Sequence, residues 1–295
     1  MTMSITAINS FEYLKNRLGA PYYENENVLI FNRECMAAMH LLENEIFDLT
    51  VTSPPYNIGK EYENKLPIEE YIEWTAEWVR DIYLLTKPNG AFLFNLGYGE
   101  LNSRAKAIPL PYLVWQVVPF YLIQEIVWNY GAGVAGRKFL SPRNEKWLWY
   151  VKNEGNYTFN LDNIRDPDVK YPTQKKNGKL RCNTIGKNPS DVWQIAKVTS
   201  GTDRSSSERT PHPAQFPIDL IDRIINGFSN PDDLILDPFM GSGSTAVSAL
   251  KNGRKVVGFE LREDYCNIIA KRIDYMLEEE RQKKAQLSLF GENSN

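Results

Sequence analysis

A chain of 295 residues, 42% apolar and 24% charged, is long enough for a substantial core and ordinary in composition, which argues against disorder, collagen-like repeats and a disulfide miniprotein. Cys35, Cys182, Cys266 and the two histidines, His40 and His212, are scattered, so neither a metal site nor a catalytic Cys–His pair is expected. The net charge of −3 does not advertise a nucleic-acid binder, so any basic surface has to be local.

The start, MTMSITAINSFEYLK, lacks the basic-then-apolar pattern of a secretory signal, and no apolar run approaches membrane-spanning length. A soluble, cytoplasmic protein is the expectation. In chain order, strands are predicted at Val28–Phe31 and Phe47–Thr52, then a helix at Ile68–Leu85. A turn at Lys87–Gly90 precedes a strand at Ala91–Leu96, and strands follow at Leu122–Trp128 and Trp147–Val151. A helix at Ile218–Gly227, a strand at Leu234–Asp237, a helix at Ser244–Lys251, a strand at Lys255–Phe259 and a helix at Glu263–Glu280 complete the series. The alternation predicts an α/β fold with a mainly parallel sheet. The stretch Lys152–Thr210 is different: polar, long and nearly without apolar runs, it reads as an insertion anchored only by Asp191–Ile195. Between Asp166 and Lys187 it carries six basic side chains against two acidic ones, with Arg204 and Arg209 beyond. A frayed tail is expected from Gln286. The expected divisions are therefore 1–151, 152–210, 211–285 and 286–295.

The strongest local signal is Leu234-Ile-Leu-Asp-Pro-Phe-Met-Gly-Ser-Gly-Ser-Thr-Ala246. An apolar strand runs into Gly241-x-Gly243-x-x-Ala246 and then a helix, which is the nucleotide-fold fingerprint in its proper context. Such a turn lets a ligand approach the backbone and the free N–H groups of the helix N-terminus. Glu260, 23 residues beyond Asp237 at the end of the next strand, is placed to accept hydrogen bonds from ribose hydroxyls. No Lys follows the second glycine, which excludes a P-loop. A dinucleotide dehydrogenase and a ligand-free turn remain open. Asp237 separates the candidates, because a carboxylate beside the ligand suits a cation better than a pyrophosphate. S-adenosylmethionine carries a sulfonium and an amino group and no phosphate.

The second signal is Phe47-Asp-Leu-Thr-Val-Thr-Ser-Pro-Pro-Tyr-Asn57. Pro54 and Pro55 fix the backbone and donate nothing, so the Ser53 Oγ and the Pro54 carbonyl become preset acceptors. Tyr56 offers a flat face. Acceptors beside an aromatic ring suit a planar heterocycle bearing an amino group. Taken alone, the segment also reads as a plain proline-rich turn.

Together, Ser53-Pro-Pro-Tyr56 and Asp237-Pro-Phe-x-Gly-Ser-Gly243 resemble the amino-group DNA methyltransferases of bacterial restriction–modification systems. The catalytic motif precedes the insert and the cofactor motif follows it, which is the circularly permuted order of the β class. Trp78 through Gly90, Trp128 through Trp149, and His212-Pro-Ala-Gln-Phe-Pro217 resemble further family segments, although Phe216 stands where the family usually has Lys. The resemblance implies a Rossmann-like methyltransferase fold with a seven-stranded, mainly parallel sheet. It implies S-adenosylmethionine held by Asp237, Pro238, Phe239, Gly241, Gly243, Thr245, Glu260, His212 and Gln215. It implies catalysis at Ser53, Pro54, Pro55 and Tyr56, on a base flipped out of double-stranded DNA. Ser at the first motif position is typical of cytosine N4 methylation and Asp of adenine N6, so cytosine is favoured and adenine is the alternative. Target recognition is expected in the insert, with Lys170, Lys175, Lys176, Lys179 and Arg181 against DNA. A cognate restriction endonuclease and a homodimer are the other expected partnerships. A nicotinamide oxidoreductase would leave Ser53–Tyr56 idle. A non-catalytic DNA-binding descendant of the fold would be expected to have lost one of the two motifs. A protein-glutamine methyltransferase would typically open the first with Asn.

Overall fold

The computed structural model describes residues 10–61, 63–131, 137–199 and 206–291; Arg204 lies outside them. The chain opens with α1 (Ser10–Leu18), β1 (Tyr23–Asn25), β2 (Val28–Asn32), α2 (Cys35–Met39) and β3 (Phe47–Thr52). Helix α3 (Ile68–Leu85) leads into β4 (Thr86–Leu96), the hairpin of β5 (Tyr98–Leu101) and β6 (Ala105–Pro109), and the short α4 (Pro111–Val114). Then come β7 (Tyr121–Asn129) and β8 (Asn144–Val151), and within the insert β9 (Lys175–Lys176), β10 (Lys179–Leu180) and β11 (Val192–Gln194). Helix α5 (Ile218–Phe228), β12 (Leu234–Asp237), α6 (Ser244–Lys251), β13 (Lys255–Glu260) and α7 (Glu263–Gly291) close the chain.

The main sheet runs β1-β2-β13-β12-β3-β4-β8-β7-β11. Neighbours from β2 to β4 are parallel, and β8 lies antiparallel between β4 and β7. The expected seven strands are therefore present, β2 through β7 in sheet order. Two short edge strands, β1 antiparallel on β2 and β11 parallel on β7, extend the sheet to nine. Sequence patterning missed both edges because three residues carry too little periodicity to register.

The central strands are apolar on both faces, as a parallel sheet between two helical layers requires. Alternation assigns the faces. Phe92, Phe94 and Leu96 of β4 join the core under α1, α2 and α3, while Ala91 and Leu93 join the core under α5, α6 and α7. Helix α3 has its expected limits, starting after Pro67 and burying Tyr71, Thr75, Trp78, Val79 and Ile82 along one stripe. The turn expected at Lys87–Gly90 is absorbed into β4 as a bulge: Thr86 pairs with Phe47 and Ala91 with Leu49.

Two expectations need correction. Helix α7 does not end near Glu280; it continues to Gly291, with no Gly or Pro before that residue to stop it. The insert is also more tied down than its composition suggests. Beyond β11, Tyr157 and Phe159 pack on Trp149, and Asn160 donates its amide to Ser229 O at 2.9 Å.

Candidate functional site

Strand order reverses between β12 and β3, where Ile235 pairs with Leu49 and Leu236 with Thr50. The loops after these two strands therefore leave the same edge of the sheet side by side, in the position where open α/β sheets bind ligands. A cavity of about 650 Å³ opens there. Its walls come from the ends of four strands in succession: Arg33–Met36 after β2, Ser53–Tyr56 after β3, Asp237–Ser242 after β12 and Glu260–Arg262 after β13. The two motifs read from the sequence thus converge on one space.

A buried bond joins them. Thr52 donates its hydroxyl to Asp237 Oδ1 at 2.8 Å, across 185 positions of chain. Thr245 donates to Asp237 Oδ2 at 2.6 Å and the Phe239 N–H to Oδ1 at 3.1 Å. Burial pushes this carboxyl up to about 6, and the three donors partly offset that rise. Gly241 adopts φ +53°, and a Cβ there would lie 3.0 Å from His212 Nε2, so the imidazole packs directly on the turn. Burial, then the nearby Arg262 and Arg272 charges, push His212 down to about 4, which keeps it neutral near pH 7. Its Nδ1 accepts the Ala214 N–H at 3.2 Å.

Of the residues expected around a cofactor, Asp237, Pro238, Phe239, Gly241, Thr245, Glu260, His212 and Gln215 line the cavity. Gly243 does not; it precedes α6 at φ +78°, where a Cβ would meet Ile269 at 3.0 Å, so its role is helix packing. Glu260 accepts the Gly241 N–H at 2.8 Å and the Arg262 N–H at 2.9 Å, bracing the turn with the carboxylate expected to face ribose. Burial raises its pKa. Gln215 is 3% exposed and its amide is engaged within its own loop, to Thr210 and to Glu208 O.

The Ser53–Tyr56 loop is held from three sides. Tyr71 of α3 donates its hydroxyl to Pro55 O at 3.0 Å. The Glu63 carboxylate accepts the N–H groups of Asn57, Ile58 and Lys60. Ser53 donates to the Tyr56 hydroxyl at 3.0 Å, and that hydroxyl meets Asn95 Oδ1 on β4 and Glu145 Oε2 on β8, the latter at 3.1 Å. Glu145 Oε1 in turn pairs with Lys197 Nζ at 2.7 Å. The Lys197 ammonium sits 3.7 Å from the Tyr130 ring centroid and 5.3 Å from that of Trp128. Gly97 makes room for this arrangement, since a Cβ there would come within 2.8 Å of the Tyr56 ring. Among the described residues no donor reaches the Pro54 carbonyl.

Sequence reasoning did not single out Tyr71, Asn95, Glu145 or Lys197. Only Asn95 left a signal, as the one polar residue in the apolar run Ala91–Leu96. The five basic residues expected against DNA stand away from the cavity. Lys175, Lys176 and Lys179 sit on the β9–β10 hairpin, Arg181 just after it and Lys170 before it, all five exposed.

The sheet order and the paired turns at its reversal point define a Rossmann-like methyltransferase fold. Residues 47–271 match the N6/N4 family described as DNA methylase, and the chain belongs to that family. It is 57% identical over 261 residues to the type II methyltransferase M.ScaI of Streptomyces caespitosus, covering 88% of this chain and 86% of the relative. It is 31% identical over 262 residues to the DNA adenine methyltransferase YhdJ of Escherichia coli K12, covering 85% and 84%. Among solved structures, the cytosine-N4-specific PvuII DNA methyltransferase superposes with a TM-score of 0.66 at 19% identity, over 87% of this chain and 93% of that one. The M1.HpyAVI–SAM complex gives 0.54 at 21% identity, over 83% and 99%.

Proposed function

We propose that this enzyme transfers a methyl group from S-adenosylmethionine to the exocyclic N4 of a cytosine flipped out of double-stranded DNA. The observation that carries the reading is the orientation of the Ser53 hydroxyl. Its own proton is directed at Tyr56, so the lone pairs of Oγ are left to accept an N–H, and the Pro54 carbonyl stands beside it as a second acceptor. Two acceptors hold the two hydrogens of an exocyclic amine and draw its lone pair out of ring conjugation.

The cavity fits the cofactor. Asp237 and Glu260 supply carboxylates for a cationic, ribose-bearing ligand, Gly241 lets it approach the backbone, and neutral His212 adds no competing charge. Trp74 and Phe239, with ring centroids 5.7 Å apart, line the apolar side. When bound, S-adenosylmethionine supplies an electrophilic methyl group. The chain's own contribution is alignment: the Thr52–Asp237 bond couples the loop holding the amine to the turn holding the cofactor, and in such reactions alignment carries much of the rate. Among the described residues no group of three or more His, Cys, Asp or Glu side chains could hold a metal ion.

Residues 152–210 form the recognition region in this reading, with Lys170, Lys175, Lys176, Lys179 and Arg181 against phosphate or base edges. No described helix is long and apolar enough to cross a membrane, and action on DNA implies a cytoplasmic enzyme. A cognate restriction endonuclease and a second copy of the chain are its further proposed partners. Adenine N6 is the second reading, favoured by the 31% identity to an adenine methyltransferase. The test is methylation of mixed-sequence duplex DNA with labelled S-adenosylmethionine, followed by nucleoside mass spectrometry. N4-methylcytosine supports the assignment; N6-methyladenine keeps the enzyme and overturns the base. Ser53→Ala is expected to bind cofactor normally and to lose about 10²-fold in turnover; a wild-type rate removes Ser53 from the mechanism.

A further inference from the structure

Methylation of an exocyclic amine leaves a proton to be disposed of. As the N–C bond forms and the C–S bond breaks, the sulfur leaves with its electron pair and the amine nitrogen becomes cationic, with two hydrogens and a methyl group. One N–H bond must then break. Of the two acceptors proposed for the amine, Ser53 Oγ is joined to Tyr56 Oη at 3.0 Å, which lies 3.1 Å from Glu145 Oε2.

We propose that Glu145 is the terminal proton acceptor of the reaction, reached through the hydroxyls of Ser53 and Tyr56. The inference rests on the reading of Ser53 as the amine acceptor. Its balance is simple. The amine proton moves to Ser53 Oγ, the Ser53 proton to Tyr56 Oη and the Tyr56 proton to Glu145 Oε2. Both hydroxyls end neutral and the carboxylate ends as the acid, ready to release the proton when product leaves.

The other groups nearby are poorer sinks. The Tyr56 hydroxyl has one proton and two acceptors in reach, but the Asn95 amide oxygen is a weak base and cannot hold it. Burial and the Glu145 charge raise the Tyr56 pKa well above its ordinary value, so this phenol passes protons and does not store charge as phenolate. Asp237 is occupied by three donors and tied to Thr52, and Glu260 braces the glycine turn. The charged and titratable groups facing Glu145 are Lys197, Tyr56 and Tyr130. Lys197 pairs with the other carboxylate oxygen, and the Tyr130 ring face shares that ammonium. A nucleobase cation protonated on its exocyclic amine is a far stronger acid than a carboxylic acid, because losing the proton returns the nitrogen lone pair to ring conjugation, so a carboxylate suffices.

Glu145 acts through other groups, so its test needs a readout that a structural role would not move. The full-length Glu145→Gln and Tyr56→Phe proteins are compared with wild type on the duplex methylated in the mixed-sequence experiment. Cofactor and DNA affinities are measured by calorimetry, and single-turnover methyl transfer is followed across pH. Both variants are expected to bind like wild type and to transfer about 10²-fold more slowly. The relay predicts that the wild-type rate falls on acidification and that Glu145→Gln loses this fall. Added formate should restore part of the rate to Glu145→Ala and none to Ser53→Ala. Wild-type rates in Glu145→Gln, or slower transfer with an unchanged pH profile and no formate rescue, overturn the relay. If Glu145→Gln transfers at the wild-type rate while Ser53→Ala collapses, the proton leaves through water and the reading of Ser53 survives. If Ser53→Ala itself matches wild type, the underlying reading fails with it. Should Glu145→Gln melt early, Tyr56→Phe, which keeps the ring on Gly97, carries the same comparison.

Discussion

Two buried residues at the glycine turn titrate in opposite senses. Asp237 has its folded pKa raised to about 6 from an ordinary 3.8, so the native state holds the extra proton between these pH values. Its burial therefore costs stability above about pH 6, and acidification toward 3.8 relieves the cost. His212 has its folded pKa lowered to about 4 from 6.5, so the unfolded state holds the extra proton in that window. Its contribution is complete above 6.5 and is lost as pH falls toward 4. The two largely cancel between about pH 4 and 6. In Asp237→Asn the His212 slope should stand exposed, with the thermal midpoint falling more steeply from pH 6.5 to about 4 than in wild type; parallel melting curves would refute this. Both groups favour binding of a cationic cofactor at higher pH, where Asp237 is ionised and His212 neutral. Affinity for S-adenosylmethionine should thus rise with pH through about 6 and then level, with proton release visible in calorimetry across buffers of different ionisation enthalpy. In Asp237→Asn most of that dependence should vanish.

Helix α3 serves the core and the Ser53–Tyr56 loop from one stripe. Trp78 is fully buried against Phe94 and Phe239, with ring centroids 5.3 and 5.2 Å away, so Trp78→Ala should cost about 3–5 kcal/mol in denaturant unfolding. Tyr71→Phe keeps the packing and deletes only the bond to Pro55 O. It should cost about 1 kcal/mol and slow turnover more than it weakens cofactor binding. These two residues also mark the limits of sequence reading. The helix was legible to its ends because Pro67 starts it and its apolar stripe runs unbroken. The loop support supplied by Tyr71 was not, since its partner lies 16 positions away in a segment with no period of its own. Both turns were readable because each concentrates its chemistry within a dozen consecutive residues. Asn95, Glu145 and Lys197 come singly from three places in the chain, and only the sheet order β4-β8-β7-β11 brings them under Tyr56. Helix α2 escaped notice because five residues show hardly more than one turn of period, and its start is fixed by the Glu34 carboxylate capping Met36 and Ala37.

Across the whole molecule, a net charge of −3 coexists with a basic hairpin on the insert. If Lys175, Lys176, Lys179 and Arg181 meet phosphates, replacing them by Ala should reduce the salt dependence of DNA binding by about one unit of slope for each phosphate no longer neutralised. Cofactor affinity should not change, because these residues stand apart from the cavity. An unchanged salt slope would place the DNA on another face. The insert is fastened to the catalytic sheet through Trp193 opposite Trp128 and through the Trp128 indole donating to Ile195 O at 2.7 Å. Lys197, two residues further, reaches Glu145, so the region proposed to meet DNA ends at the pocket proposed to receive the base.

The pairing of β12 with β3 and of β13 with β2 also governs how the protein is made. Both sheet-centre pairs join segments about two hundred residues apart, and such non-local closure is slow. During synthesis the Ser53 loop leaves the ribosome long before the strand that completes its site. Until Leu234–Glu260 arrive, β3 presents a bare apolar edge, the kind of surface on which chains aggregate. A product cut short before Leu234 would thus carry the half proposed to hold the methyl acceptor without the half proposed to hold the donor. Such a fragment would be inert on the chromosome and a burden for chaperones.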